Sequence, residues 1–487
     1  IVGAPLKGRV VIIDDVISTG SSIEAIEKLV KESGGEVIAR AAVLAEGDAA
    51  DRTDIIYLEK IPLFFHNNNI AGMVAMMAIV LIFMMMYRNP AVALMPDITP
   101  KPLRAKANGI INIMGYFGGA FATALGNAGY KTSAFGKWGL GYIGSTGDPK
   151  NQGCDTFYGY NCQLLAHSYY PDHLWDNDKR VELEDNNLNV QYGKGTYSQD
   201  LIHGKALEYL DNMNPDEPFF MWYPTIIPHA ELIVPEDSII QKFRGMYPEK
   251  PYKGTEPGSP AFRKGGYCSQ FHPHATFAAM VYRLDVYVGQ IIQKLKDKGL
   301  YDNTIIIFAS DNGPHMEGGA DPDFFNSNGI YRGYKRDLYE GGIRVPMIIS
   351  WPGHVQPNTE TDFMCSFWDV LPTFEEIIHP KAKQKEMDGV SMLPLLENRK
   401  GQKEHEFLYF EFQELNGRQA VRKGPWKLVH MNVRGKNPYY ELYNLNSDPS
   451  ERHNVLNQYP EKVTELKAIM QSSHIPNPNF PLLPGEK

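Results

Sequence analysis

Cysteine is scarce. The 487-residue chain carries four, Cys154, Cys162, Cys268 and Cys365. None stands at C-x-x-C spacing, which excludes a disulfide scaffold and makes any disulfide incidental. Clustered positive charge is lacking too. Forty-eight Lys and Arg stand against 57 Asp and Glu, a formal charge of -9, so no nucleic-acid partner is expected. The first residue is Ile1 and no basic-then-apolar leader follows, so no signal peptide can be read there. No linker rich in Gly, Pro or Ser separates stretches whose compositions differ abruptly. What is present is ordinary for a folded chain, 43% hydrophobic and 22% charged, and 487 residues suffice for two or three domains.

Residues 1–64 read as a βαβ fragment. Val10-Val11-Ile12-Ile13 is a short apolar run of the buried-strand kind, ending in Asp14-Asp15 and a Ser/Thr/Gly turn. Ser21 and Glu24 have capping-box spacing, and Ile23, Ile26, Leu29 and Val30 form the apolar stripe of a helix that stops near Gly34-Gly35. Glu36 to Leu44 and Asp54 to Leu58 read as further strands. Such a strand–turn–helix junction can cradle a phosphate on free backbone N–H groups, or be a plain turn with two solvated carboxylates. The run VVIIDDVISTGSS resembles the phosphoribosyl pyrophosphate motif of type I phosphoribosyltransferases. That resemblance implies ribose contacts for Asp14 and Asp15 and phosphate contacts for Ser18 to Ser21, on a fragment too short for the whole fold.

Residues 65–123 change character. Ile70 to Tyr87 is a run of eighteen residues without a charge, long enough for a membrane-spanning helix or a buried core helix. Arg88, Lys101, Arg104 and Lys106 follow it, and a second apolar stretch runs from Gly109 to near Phe121. RNPAVALMPDITPKPLRAKANGIINIMG resembles a loop and helix of a sugar-cation symporter of the major facilitator type. Membrane association is therefore expected through residues 70–87, whereas one helix and part of another cannot form a transport pore.

The chemistry lies in residues 124–487. Thr304 to Ser310 is a near-continuous apolar run expected to be a strand buried on both faces, and Asp311-Asn312-Gly313 follows at once. A carboxylate and an amide oxygen beside a glycine turn are hard donors suited to Ca2+ or Mg2+, although Asp-Asn-Gly is also an everyday turn. Further on stand RGYKRDLYEGGIRVP, from Arg332 to Pro346, and the apolar strand Met347–Ser350 ending in WPG. GKWGLG at Gly136–Gly141, PFFMWY at Pro218–Tyr223, Pro228-His229-Ala230, SFWDVLPT at Ser366–Thr373, DGVS at Asp388–Ser391, Trp426-Lys427-Leu428 and ELYNL at Glu441–Leu445 complete the series. In this order the motifs identify a member of the sulfatase family within the alkaline phosphatase superfamily.

That resemblance implies that Asp311 and Asn312 ligate a divalent cation, Ca2+ first and Mg2+ as the alternative, and that Lys137 and Lys335 hold sulfate oxygens. It implies that His229 donates to the leaving oxygen or contacts the sulfate, with a satisfied core histidine as the plain alternative, and that His315 reaches the substrate. The substrate class implied is a sulfated carbohydrate or an aryl sulfate ester, and the usual family location is periplasmic or extracellular. The expected architecture is α/β: an alkaline phosphatase-like sulfatase sheet flanked by helices over 124–399, with a small C-terminal α+β subdomain over 400–487. The N-terminal βαβ fragment and one or two transmembrane-type helices precede it. A core helix is expected from Ala275 to Leu300, and C-terminal strands around Phe407–Glu414, Gln419–Met431 and Glu441–Asn444 before a helix at Glu461–Gln471.

The departures from the family pattern are as informative. Sulfatases use a formylglycine nucleophile made from Cys or Ser in C/S-x-P-x-R, and no cysteine or serine here stands in that pattern; Ser259-Pro260-Ala261-Phe262-Arg263 has its Pro one place early. The paired Asp ligands of the family's first strand are missing, and Gly139 stands where many members carry His. Loss of the nucleophile predicts little or no hydrolysis. The alternatives are a pseudoenzyme that binds sulfated glycans and an artificial join of three unrelated gene fragments.

Overall fold

A computed structural model describes residues 8–17, 28, 31, 35–45 and 56–60, and residues 121–487 except 187–192, 257–265, 381–386, 478–479 and 487. The chain divides into two compact units, Ile1–Arg88 and Asn89–Lys487.

In the first unit, β1 (Gly8–Ile17), β2 (Gly35–Ala45) and β3 (Ile56–Lys60) form a parallel three-stranded sheet in that order. Lys28 and Lys31, between β1 and β2, are helical, as a parallel pair joined by a crossover requires. The expected parallel strands are therefore present. One boundary differs: β1 does not end at Asp14-Asp15 but runs on to Ile17, because pairing with β2 continues from Asp14↔Ala42 to Ile17↔Ala45. Ser18 to Ser21, expected from the resemblance to contact phosphate, and the apolar run Ile70 to Tyr87 lie outside the described residues. Among the described residues no helix is long and apolar enough to cross a membrane.

The second unit is built on a sheet of β4 (Lys131–Lys137), β5 (Thr156–Tyr160), β6 (His173–Asp176), β7 (Lys179–Glu182) and β8 (Phe219–Trp222), in the order β7-β6-β5-β4-β8. β4 is parallel to both β5 and β8. With a neighbour on each side its residues Thr132 to Gly136 are buried. Helices α1 (Ser198–Asp211) and α2 (Pro273–Asp297) cover one face. The sequence placed α2 two residues late at its start, where Pro273 opens it without needing a hydrogen-bonded N–H. Phe277, Met280, Val281 and Leu284 of α2 join the main core.

The strands that follow interrupt the sheet. β9 (Ile306–Ala309) leads into the Asp311-Asn312 turn, α3 (Glu340–Ile343) is a single turn, and β10 (Met347–Ser350) pairs antiparallel with β9. The expectation that Thr304–Ser310 is buried on both faces fails: all four residues of β9 are only half-buried. The reason is pairing. β9 bonds to β10 alone and β8 to β4 alone among the described residues, so each leaves an edge open. Yet both strands lie between the same helical layers. Met221 and Ile306 pack with Leu210 of α1 and Leu295 of α2, while Phe220 and Ile307 pack with Phe121 and with Val370 of α4 (Val370–Ile378).

The C-terminal region is an antiparallel sheet, β11 (Leu408–Phe412), β12 (Arg418–Lys423), β13 (Trp426–Met431) and β14 (Tyr439–Asn444), with helix α5 (Pro460–Ser473) on one face. The stretch read as one strand region, Gln419–Met431, is a hairpin that turns at Gly424, whose φ of 55° favours glycine. Leu466 and Met470 of α5 pack on Val421, Leu428 and Leu442. The opposite face packs on Leu338 and Tyr339. That contact ties the sheet to the loop that carries Lys335.

Candidate functional site

The loop that leaves β8 carries His229, and the core fixes it: the Tyr169 hydroxyl lies 3.0 Å from Ile226 O and 2.8 Å from His229 O. The His229 ring is buried. Its Nδ1–H donates to Ala230 O, so Nε2 carries the lone pair. That nitrogen faces Lys335 Nζ at 3.2 Å, and the ammonium donates to it. His315 lies alongside, its ring centroid 4.9 Å from that of His229 and its Nε2 3.5 Å from Pro228 O. The structure thus brings together three of the six residues singled out in the sequence, from segments up to 106 positions apart.

Backbone bonds between two segments hold the Lys335 side of the site. Lys335 N–H donates to Pro314 O at 2.8 Å and Gly313 N–H to Gly342 O at 2.9 Å, while Gly341 N–H to Arg332 O at 2.7 Å closes the Lys335 loop on itself. Glycine is required where they meet, since a Cβ on Gly313 would stand 1.9 Å from Gly341 O. Asp311 and Asn312 immediately precede this crossing, so the end of β9 and the Lys335 loop form one unit.

Four further residues complete the cluster, and the sequence reading missed them. His167 stacks on His229 at 5.4 Å, and Tyr267 stands edge-on at 6.0 Å. Glu317 Oε2 lies 3.7 Å from Lys335 Nζ and 3.2 Å from His315 Nδ1, and its other oxygen accepts from Arg336. Burial works to raise the Glu317 carboxyl, but Lys335, His315 and Arg336 outweigh it and hold it well below the usual carboxylate range. Glu414, 3.7 Å from Arg336 Nε, goes the other way: burial raises it more than Arg336 and Lys335 lower it. The cluster is therefore a charged lysine and a neutral imidazole face to face, with an ionised glutamate behind the lysine. A compact anion entering here would meet an ammonium already desolvated, with its side chain 1% exposed. Only Glu317 gave a sequence signal, as a carboxylate two residues from His315.

Lys137 stands half-buried at the carboxyl end of β4, and the backbone links it to the site: its N–H donates to Pro224 O at 2.9 Å, in the loop leading to His229. Asp311 and Asn312 supply two hard oxygen donors, against the roughly six to eight that Ca2+ takes. Among the described residues no group of three or more His, Cys, Asp or Glu is placed to hold a metal ion. These residues alone do not fit a Ca2+ site. Nor do the two buried cysteines supply a nucleophile. Cys154 and Cys268 are buried, and burial, with Asp155 beside it, pushes the Cys154 thiol up to about 12.

Parallel strands packed against helices, with His, Lys, Asp and Asn beyond their carboxyl ends, define an α/β protein with its polar cluster where ligands gather in such folds. The particular family follows from comparison. The sulfatase family model matches residues 119–378, and that of the N-sulphoglucosamine sulphohydrolase C-terminal region matches residues 329–474. The chain belongs to the sulfatase family, whose members generally use a divalent cation and formylglycine. It is 33% identical over 227 residues to N-acetylgalactosamine-6-O-sulfatase of Bacteroides thetaiotaomicron, covering 41% of this chain and 44% of that protein. It is 37% identical over 232 residues to human steryl-sulfatase, covering 41% and 39%. The chain thus spans less than half the length of these two relatives. A crystal structure of Ps i-CgsB in complex with k-i-k-neocarrahexaose superposes with a TM-score of 0.57 at 26% identity, covering 72% of this chain and 73% of that one. One solved with D-glucosamine-2-N,6-O-disulfate gives 0.55 at 19% identity, covering 72% and 81%, and shows the fold alone.

Proposed function

We propose that this chain binds sulfate esters of carbohydrates and hydrolyses them at trace rates or not at all. The observation that carries the binding half is the Lys335 ammonium 3.2 Å from His229 Nε2 with His315 beside them. A sulfate ester is a compact anion, and it would take the ammonium as its counter-charge in place of the imidazole. His229, freed from Lys335, would then turn its Nε2 toward a sugar hydroxyl or water proton, and Lys137 would approach from the end of β4. The carbohydrate class is supported by the relative named for N-acetylgalactosamine-6-O-sulfate and by the structure bound to neocarrahexaose. Asp311 and Asn312 would contribute to a divalent-cation site, Ca2+ first, only with further oxygen donors.

The inactivity half rests on the absence of C/S-x-P-x-R from the sequence. A nucleophile cannot be replaced by positioning alone, and its loss costs orders of magnitude in rate. The test is twofold. Calorimetric titration with N-acetylgalactosamine 6-sulfate is expected to show binding that Lys335→Met removes, while circular dichroism shows the variant folded. An aryl sulfate assay is expected to show no turnover. Turnover abolished by Lys335→Ala would sink the inactivity claim, and unchanged binding in Lys335→Met would sink the site. An artificial join of gene fragments remains a separate reading of residues 1–123, tested by sequencing the source DNA across positions 65 and 123.

A further inference from the structure

On the side of Asn312 toward α3 lies a cavity of about 230 Å³, lined by Asn312, Ser327, Asn328, Tyr331, Arg344 and Val345, among others. It is smaller than the ~300–1,000 Å³ of drug-sized pockets, a size for one ring or one small anion. Two of its side chains point to a ligand. Ser327 is 5% exposed, yet its Oγ has no hydrogen-bond partner. Buried hydroxyls are nearly always satisfied, so one left open into a cavity marks a place for an incoming polar group. Arg344 is the second. Its guanidinium lies 4.7 Å over the Tyr331 ring, and its closest carboxylate oxygen is Glu340 Oε2 at 3.8 Å. Glu340 is already engaged by Lys427 at 2.9 Å and Arg422 at 3.3 Å. With its side chain 43% exposed, Arg344 therefore keeps most of its charge for a partner on the cavity side.

We propose that this cavity is a second carbohydrate subsite, taking an anionic sugar unit joined to the sulfated one. Ser327 Oγ hydrogen-bonds a ring hydroxyl, Tyr331 supplies an apolar wall, and Arg344 pairs with the carboxylate or sulfate that the unit carries. The inference rests on the sulfate-ester reading of the Lys335 site and deepens it: the chain would prefer a polyanionic oligosaccharide to an isolated sulfated sugar. Asn312 connects the two subsites, since it lines the cavity while its neighbour Gly313 is bonded into the Lys335 loop.

The test is calorimetric titration of the full chain with N-acetylgalactosamine 6-sulfate and with the disaccharide joining that unit to glucuronic acid. The disaccharide is expected to bind about tenfold tighter, the gain of one charge-assisted hydrogen bond. Ser327→Ala and Arg344→Gln are each expected to shrink that ratio several-fold while leaving the monosaccharide affinity within about twofold of native. Equal affinities in the native chain overturn the inference, and so does a ratio that survives in both variants. If Arg344→Gln fails to fold, Ser327→Ala decides alone. The two readings fail separately. Monosaccharide binding lost in Lys335→Met with no disaccharide advantage sinks only the subsite, whereas a native chain that binds neither sugar sinks both.

Discussion

Replacing Lys427 by Met tests whether an ionic centre buried beneath the site holds the two parts of the second unit together. The Lys427 side chain is 1% exposed, and its Nζ lies 2.9 Å from Glu340 Oε1 and 2.9 Å from Glu451 Oε1. Glu451 also accepts from the Glu340 backbone N–H. At an effective dielectric of about 20, each such pair gains about 6 kcal/mol gross, and desolvation of three charges cancels much of it. Truncation to Met keeps the bulk but leaves two buried carboxylates facing each other, which costs about 3–5 kcal/mol. A drop of roughly 10 °C in Tm is expected by thermal melting. The deficit must depend on pH in one direction. Burial already raises the Glu451 carboxyl above the usual range, whereas Lys427 and Arg422 outweigh burial to keep Glu340 below it. Without Lys427 both folded-state values rise, so the variant is penalised above them and recovers as acid protonates the pair. Adding Glu340→Gln and Glu451→Gln to Lys427→Met should restore most of the loss. A deficit under about 1 kcal/mol, or one equal at pH 5 and pH 8, would refute the reasoning.

Three further outcomes are expected. His474 sits between Glu411 Oε2 at 2.9 Å and Glu486 Oε1 at 2.5 Å; burial lowers its pKa, but both carboxylates outweigh it and the net shift is upward. That clasp is complete below the ordinary histidine value near 6.5 and is lost as pH rises through the raised one, so His474→Ala should cost about 2 kcal/mol in mild acid and little at pH 9 in paired melts. Gly313→Ala should destabilise by ~3 kcal/mol or more and abolish sulfate-ester binding, because its Cβ would meet Gly341 O at 1.9 Å; a folded, binding variant by circular dichroism and calorimetry contradicts this. Among the described residues β8 and β9 each leave an edge unpaired, which predicts enhanced anilinonaphthalene sulfonate fluorescence in the native protein, and no enhancement means those edges are covered.

Much of the second unit was legible because its signals are local. The α2 stripe from Phe277 to Leu295 has helical spacing, and the apolar runs of β9 and β10 have the length of strands. What the residues could not disclose was neighbour count. Ile306 to Ala309 is apolar on both faces, as a central strand is, yet burial is set by what stands beside a strand as well as by its own side chains. β4, less apolar but with parallel partners on both sides, is buried from Thr132 to Gly136; β9, apolar throughout, is only half-buried. The Gly424 turn that splits Gln419–Met431 was missed for a related reason, since Trp426 onward continues the same apolar alternation and the break occupies only two residues.

At the site the legible part was the set of groups that would face sulfate, and the illegible part was what holds them. Lys335, His229 and His315 sit in recognisable motifs. His167 carries no motif and is recruited by stacking, Arg336 sits in the Lys335 motif with no role the motif discloses, and Glu414 looks like surface charge in the sequence. Their role follows from charge balance: a lysine with a 1% exposed side chain keeps its proton only if a carboxylate is near, and Glu317 at 3.7 Å is that group. Arg336 then holds Glu317, and Arg418 holds the Lys335 loop through Asp337 and Arg336 O. Lys335 is thus the inner end of an alternating chain of charges reaching into the C-terminal sheet. Removing an outer member should reach sulfate affinity through Lys335's position, even though none of them touches the ligand.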